Sequence, residues 1–267
     1  MRYAFMTFST PELTFDEVLA LAARLGYDGV EPRIDADHRH GVEIAATAAE
    51  RASMRRRAED AGVAIACVAS SCRFADPADR ARHTARAIEA IDLAADVGAR
   101  RIRVFGGPIP AGIGRPEAVE CVAGALVSVA RRAADRGVTV CLETHDDWCD
   151  PRDVAAVLRA VNSPAVAANW DVVHPVRTGL ATVDESFETL NPWIAHLHVH
   201  DGQAGDGAIV PIGEGIVDHR RVLALLTALP YDGFLSGEWI GWEPYEVHLP
   251  RELATLRAYE DGLAARA

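Results

Sequence analysis

Eight short apolar runs follow one another along this chain, each succeeded by a helix-like segment, with no linker or low-complexity tract between them. Such alternation signals an α/β fold built on a parallel sheet. The runs are YAFMTF (about 3–8), GVEPR, VAIACVAS, RIRVFGG, VTVCLET, VAANWD, WIAHLHVHD and GFLSGEWI. They are apolar almost throughout rather than alternating, as strands covered on both faces should be. Helix signals fill the gaps. Thr14 and Glu17 form a capping box before Val18, Leu21, Ala22 and Leu25, and Gly26 stops that helix. Further helices are expected at about 43–61, from Asp76-Pro77 to Gly98 with Ile88, Ile91 and Ala95 facing inward, and at 116–136. The last four are expected from Asp150-Pro151 to Val161, at 183–191, at 218–228 and at 249–265. Eight units in 267 residues suit one closed (β/α)8 TIM barrel, typically about 250 residues long. The open doubly wound sheet is the rival, but no GxGxxG turn follows the first run. Residues 1–267 read as a single domain.

In a barrel of this kind the C-terminal ends of the strands meet around one mouth. Glu143 closes VTVCLE, Asp171 closes VAANWD and Glu238 lies near the end of GFLSGEWI. Between the last two, HLHVH places His196, His198 and His200 on one strand face, since side chains alternate. A carboxylate in an apolar strand is costly unless it is paired, protonated or bound to a cation. Two Glu, one Asp and one His from successive strands form a mixed O/N donor set for one divalent ion, Mn²⁺ first, with Mg²⁺, Co²⁺ or Zn²⁺ as alternatives. One ion cannot take all three His. The lower two suit packing inside the barrel, or His200 faces the mouth and binds substrate, and Asp201 could orient a ring. His174 can reach the same mouth. Trp148, Trp170, Trp239 and Trp242 lie near strand ends, where aromatic walls suit sugar faces, although Trp170 and Trp239 also read as core. Arg103 and Arg33 could meet an anionic substrate. The Gly213–Gly215 loop could cradle a phosphate, but it holds no basic residue, which favours a plain turn.

Composition excludes several chemistries. All 27 basic residues are Arg, so there is no Lys for a Schiff base, a PLP linkage or a Walker-type phosphate loop. A formal charge of −12 argues against nucleic-acid or anionic-membrane surfaces. The five Cys form no CxxC pair and are expected to be reduced, with Cys149 too poorly activated for a nucleophile. The opening MRYAFMTFST lacks the apolar core of a signal peptide, and no run is long enough to span a membrane, so a cytoplasmic location is expected.

GYDGVE, CLETH, NWDVVHP, HLHVHD, PIGEG and GEW together resemble the xylose isomerase-like barrels. Within them they resemble the sugar-phosphate isomerase/epimerase group, which also includes AP endonuclease family 2. The resemblance spans essentially the whole chain. It implies Glu143, Asp171, His198 and Glu238 as ligands of one metal ion, with Glu143 and Glu238 also serving as acid and base. It implies substrate contacts from His174 and, through CLETH, His145. Glu31 matches an acidic residue after strand 2. With Trp148, Arg103, His200 and Asp201 these make up the expected substrate contacts.

Two departures narrow the expectation. His200 stands where many members carry Lys, and an Arg that some ketose epimerases carry after strand 7 is missing from DGQAGDG, which counts against a simple free-ketose 3-epimerase. The DNA-repair branch needs further ligands where this chain has VASS, VFGG and AIVPI. The implied activity is a divalent-metal-dependent isomerase or epimerase of a sugar, sugar phosphate or polyol ketone, moving a proton through a metal-bound enediolate. The same site would serve an inosose- or dehydroshikimate-type dehydratase if a β-hydroxyl left with His174 or His200 as acid. A barrel without catalysis stands as a reading of another class. The expected partner is a small carbohydrate, without nucleic acid or membrane, and a homo-oligomer is implied by the resemblance alone.

Overall fold

The computed structural model describes residues 1–205 and 207–264. In chain order the elements are β1 (Tyr3–Met6), α1 (Phe15–Leu25), β2 (Gly29–Glu31), α2 (Ala48–Ala61), β3 (Ala64–Ile65), β4 (Val68–Arg73), α3 (Arg80–Val97) and β5 (Arg101–Phe105). They continue with α4 (Arg115–Arg136), β6 (Thr139–Glu143), α5 (Pro151–Val161), β7 (Val166–Asp171), α6 (His174–Arg177) and α7 (Val183–Leu190). The last are β8 (Ile194–Val199), β9 (Asp201–Gly202), β10 (Ile209–Val210), α8 (His219–Leu226), β11 (Leu235–Gly237) and α9 (Tyr245–Ala264).

Nine strands form one parallel sheet in the order β3-β2-β1-β11-β8-β7-β6-β5-β4. The two ends meet where Arg33, just past β2, bridges Ala69 on β4, with Ile34 N–H donating to Ala69 O and Ala69 N–H to Pro32 O. This closes a (β/α)8 TIM barrel, as expected. The third unit is split, however. VAIACVAS was expected as one strand, but β3 pairs with β2 while β4 pairs with β5, so the chain steps from one neighbour to the other at Ala66 and Cys67. Closure needs that step, because the third unit must bond on both sides at different heights.

The stop signals act as read: Gly26, Gly62, Gly98 and Gly137 all hold left-handed backbone at helix ends. Thr14 and Glu17 close the capping box, and Asp150 accepts from Arg152 N–H with Pro151 at the first helical position. Three starts differ. Asp76-Pro77 builds a turn, in which Asp76 accepts from Ala78 N–H, and α3 begins only at Arg80. A second capping box, Thr47 with Glu50, starts α2 later than residue 43. The last helix begins at Tyr245, since Pro250 is tolerated inside its first two turns; its expected end at 265 lies outside the described residues. The Gly-rich loop holds the β9–β10 hairpin, with Asp206 also outside the described residues.

The apolar core lies between the sheet and its ring of helices, and it is continuous around the barrel. The inward faces carry a different population. Cys141 and Glu143, Asn169 and Asp171, and His196 and His198 follow the two-residue period of their strands, so polar groups climb the barrel interior toward the C-terminal mouth. Among the described residues no helix is long and apolar enough to cross a membrane.

Candidate metal centre

Strand register does the assembling. Asp171 pairs across to His198, Glu143 to Asn169 one inward position below Asp171, and His198 to Ser236 one inward position below Glu238, so the last inward residues of these strands step around one mouth. Glu238 follows β11 directly and is tied by its N–H to Val199 O at 3.2 Å. Thr144 locks the ends of β6 and β7: its hydroxyl donates to Asp171 O at 3.0 Å and accepts from Asp171 N–H at 2.9 Å. The result is a buried group, Glu143, Asp171, His198 and Glu238, with one potential ligand atom from each within 4.8 Å of the others.

His198 stands at the centre. Its Nδ1 lies 2.7 Å from Glu143 Oε1 and 3.0 Å from Glu238 Oε2. Its Nε2 lies 3.2 Å from Glu31 Oε1 below. A carboxylate can only accept from Nε2–H, so Glu31 fixes the ring and turns Nδ1, which Asn169 Nδ2 also approaches at 3.2 Å, toward the carboxylates above. Burial opposes charging this ring, but Glu143, Glu31 and Glu238 outweigh it and hold its pKa well above the usual histidine value. Burial likewise pushes Glu238 up, yet His198 and Arg103 bring its carboxyl down to about 2. In Asp171 burial is outweighed by His174, His200 and His198, so its carboxyl sits well below the usual range. Asp171 Oδ1 is occupied by Val173 and His174 N–H groups at 2.8 and 3.1 Å, and Oδ2 faces His200 Nε2 at 3.2 Å.

A divalent cation fits this set. Three carboxylates surround one imidazole, and the positive charge held on His198 is the kind a bound ion supplies instead. Glu143 Oε2 is fully buried without a hydrogen bond: Arg103 Nε lies 3.2 Å away but is misaligned, and both atoms stay unsatisfied. An oxygen with only a misaligned guanidinium beside it has an acceptor position open to a cation.

The other expected contacts divide between mouth and interior. His145, His174 and His200 line the mouth as a chain of rings, 4.5 Å between the first two centroids and 5.8 Å between the last two. Burial lowers His145, but Asp146 at 2.9 Å and Glu143 raise it to about 9. The Arg177 guanidinium lies 2.7 Å from His174 Nδ1 and can only donate, so the neutral ring carries its proton on Nε2. That proton points toward Asp171 Oδ2, 3.8 Å away. His174 therefore offers a donor at the mouth and no lone pair for an ion. Arg103 is fully buried, stacked over Phe105 at 3.9 Å and within 4.0 Å of Glu238.

Three expected contacts sit elsewhere. Glu31 lies inside the barrel beneath His198, bonded to His196 Nε2 at 2.7 Å. Trp148 is fully buried, its Nε1–H donating to Gly107 O at 2.8 Å and its ring pressed so close to Gly106 that a Cβ there would lie 2.2 Å from Nε1. Asp201 accepts from the N–H groups of Gly202, Gly213, Gly215 and Val217, so it organises the Gly213–Gly215 loop. Two of the N–H groups of the suggested phosphate cradle are thereby already taken. Asn169, Thr144 and Arg177 escaped sequence reasoning. Only Asn169 had a signal, two residues before Asp171 on the same strand face.

The family model described as "Xylose isomerase-like TIM barrel" matches residues 19–259. Among curated proteins, an L-ribulose-5-phosphate 3-epimerase of Shigella flexneri is 27% identical over 237 residues, 84% of this chain and 81% of that one. A 3-dehydroshikimate dehydratase of Bacillus anthracis is 28% identical over 127 residues, 40% of this chain and 44% of that one. An uncharacterized protein of Methanocaldococcus jannaschii is 26% identical over 119 residues, 42% of this chain and 41% of that one. The match thus spans less than half the length of these last two relatives. Among solved structures, the probable 3-DHS dehydratase AsbF of Bacillus anthracis superposes with a TM-score of 0.80 at 22% identity, covering 96% and 99% of the two chains. An L-ribulose 3-epimerase gives 0.82 at 18% identity, covering 99% and 96%. A xylose isomerase-like barrel of Mycobacterium smegmatis in complex with magnesium gives 0.76 at 19%, covering 98% and 97%.

Proposed function

This chain belongs to the xylose isomerase-like TIM barrel family, and on that premise we propose that it is a divalent-metal-dependent isomerase or epimerase of a sugar, a sugar phosphate or a related polyol ketone. The observation that carries the reading is the placing of Glu143 and Glu238 on either side of His198 Nδ1, at 2.7 and 3.0 Å. They come from strands separated in the sheet by β7 and β8, so they address a substrate in the mouth from different sides. Glu143, Asp171, His198 through Nδ1, and Glu238 would hold one ion, with Mn²⁺ the first choice among Mg²⁺, Co²⁺ and Zn²⁺. When bound, the ion supplies Lewis acidity toward a carbonyl and a neighbouring hydroxyl, which acidifies the C–H between them.

The chain's own groups do the proton work. One of Glu143 or Glu238 takes the proton from that carbon, leaving an enediolate. Its return to the adjacent carbon gives an isomer, and delivery by the opposite Glu gives an epimer. Arg103, from β5, supplies positive charge beside both carboxylates, at 3.2 and 4.0 Å. His174 Nε2–H and His200 donate to substrate oxygens, and Asp171 is kept from rotating by its two backbone donors. The buried mouth keeps bulk water from quenching the intermediate.

A dehydratase is the second reading. It is supported by His174 and His200 standing as ring donors beside Asp171 and by the likeness to a 3-dehydroshikimate dehydratase. Here the same enediolate would lose its β-hydroxyl as water, with His200 or His174 giving the proton.

The test is proton NMR in D₂O of ketoses, aldoses, inososes, their phosphates and 3-dehydroshikimate, with Mn²⁺ and with an EDTA control. Metal-dependent deuterium entry at carbon with a new isomer peak is the expected result. Loss of water without a returning isomer would replace it by the dehydratase, and deuterium entry that survives EDTA would sink the metal reading.

A further inference from the structure

Arg33 is a mouth arginine that the isomerase reading leaves without work. It follows Glu31 by two residues on the same strand face and bridges Ala69 on β4, which sets it one layer above Glu31, toward the mouth. Its backbone is anchored: the N–H donates to Thr7 Oγ1 at 2.9 Å, and the guanidinium carbon lies 5.7 Å from the centre of the Phe8 ring. The side chain is half-buried. Among the described residues its side-chain hydrogen bonds go only to uncharged oxygens, those of Ile34, Ala69 and the Ser71 hydroxyl, and its buried Nε has no partner there.

The acids that feel this charge are all committed elsewhere. Asp35 pairs with Arg86, Glu43 accepts from Asp35 N–H, and Glu238 is shared between His198 and Arg103. Burial, with Arg103 nearby, pulls the guanidinium down to about 10, so it is still charged at neutral pH. Arg103 differs in this respect, for it faces Glu143 and Glu238 directly. A half-buried cation held in place without a counter-ion is unfavourable unless a ligand supplies one. The planar guanidinium suits a carboxylate or a phosphate monoester, which it can meet through two parallel hydrogen bonds.

We propose that the substrate carries such an anionic group and that Arg33 receives it while the reacting carbons lie between Glu143 and Glu238. The inference rests on the proton-transfer reading of the same site. It places Arg33, not the Gly213–Gly215 loop, as the residue that separates charged from neutral substrates.

The experiment pairs a binding readout with a turnover readout on the Mn²⁺-loaded protein. Calorimetry measures binding of 2-keto-D-gluconate and D-ribulose 5-phosphate against the neutral D-fructose and D-ribulose, and NMR follows deuterium entry into all four. The expected result is binding of at least one anionic probe about tenfold or more tighter than its neutral counterpart, the scale of one charged hydrogen bond. Arg33→Met should remove that preference while leaving the neutral ketoses unchanged, and Arg33→Lys should restore part of it. The carboxylate and phosphate arms distinguish the two sources of the anion. Equal binding of charged and neutral probes by the unmodified protein, no binding of any probe, or an equal loss on both in Arg33→Met would overturn the proposal. Anion binding that depends on Arg33 without deuterium entry would keep the anion site and sink proton transfer. Deuterium entry into neutral ketoses indifferent to Arg33 would do the reverse.

Discussion

Two layers of the barrel interior use the same kinds of side chain and end in opposite states. In the lower layer Glu31 is fully buried and spends both oxygens on His196 and His198, at 2.7 and 3.2 Å. One layer up, Glu143, Asp171 and Glu238 gather around the other nitrogen of His198, with Glu143 Oε2 unsatisfied and Glu238 slightly open to the mouth. The lower carboxylate is fully spent, although His196 Nδ1 has no partner among the described residues, and it serves as a support that aims an imidazole. The upper group gathers three carboxylates and keeps Glu143 Oε2 without a hydrogen bond, which suits a site for a cation and for chemistry. The difference teaches that a buried carboxylate–histidine contact marks a working site when carboxylate oxygens are left unspent.

The largest effect that would test this contrast is on turnover. Glu143→Gln and Glu238→Gln should each lower kcat by about 10²–10⁴-fold, the usual weight of a positioned acid or base. Deuterium entry measured by NMR checks this, and activity near normal in both variants would break the contrast at its upper layer. Glu31→Gln should act on stability instead. Disrupting a buried ion pair costs about 3 kcal/mol, or very roughly 10 °C in Tm, readable by circular dichroism. It should also weaken Mn²⁺ binding about ten- to hundredfold, because an orienting partner of a ligand histidine is lost. A variant as stable as the unmodified protein would mean that the lower pair supports nothing.

Ion removal sharpens the comparison further. Adding Mn²⁺ at about a hundred times its Kd to EDTA-treated protein should stabilise it by about 2.7 kcal/mol, a rise of several degrees in Tm. The rise should shrink in Glu238→Gln and Asp171→Asn, and calorimetry that found no difference would place the ion elsewhere. The smallest effect expected is that of Arg177→Met. Freeing His174 to change tautomer should cost about tenfold in kcat with Tm unchanged. A fall in Tm with kcat intact would make Arg177 a merely structural residue.

Much of the architecture was legible because barrel geometry is periodic. Apolar runs, glycine stops and the Thr14–Glu17 box mark local events that adjacent residues decide. Asp76-Pro77 misled because the same dipeptide starts a helix or builds a turn, and here Asp76 spends its carboxylate on Ala78 N–H. The strand-end positions of Glu143, Asp171 and Glu238 were legible for the same periodic reason, since parallel strands end at one mouth. Trp148 and Asp201 were not, as nothing near them in the chain announces Gly106 and Gly107 or the N–H groups of Gly213 and Gly215.

Residue order alone therefore determined the eightfold alternation, the parallel barrel, the absence of lysine chemistry and the three carboxylate-bearing strand ends with a histidine-rich strand between them. Only the tertiary structure decided which nitrogen of His198 faces the carboxylates, that Glu31 lies beneath it, that Arg177 sets the His174 tautomer and that Arg33 lacks a counter-ion among the described residues. The physical reason is one of range. A strand's period of two tells which face a side chain takes, whereas height in the barrel and the partner met across it depend on register between strands far apart in sequence.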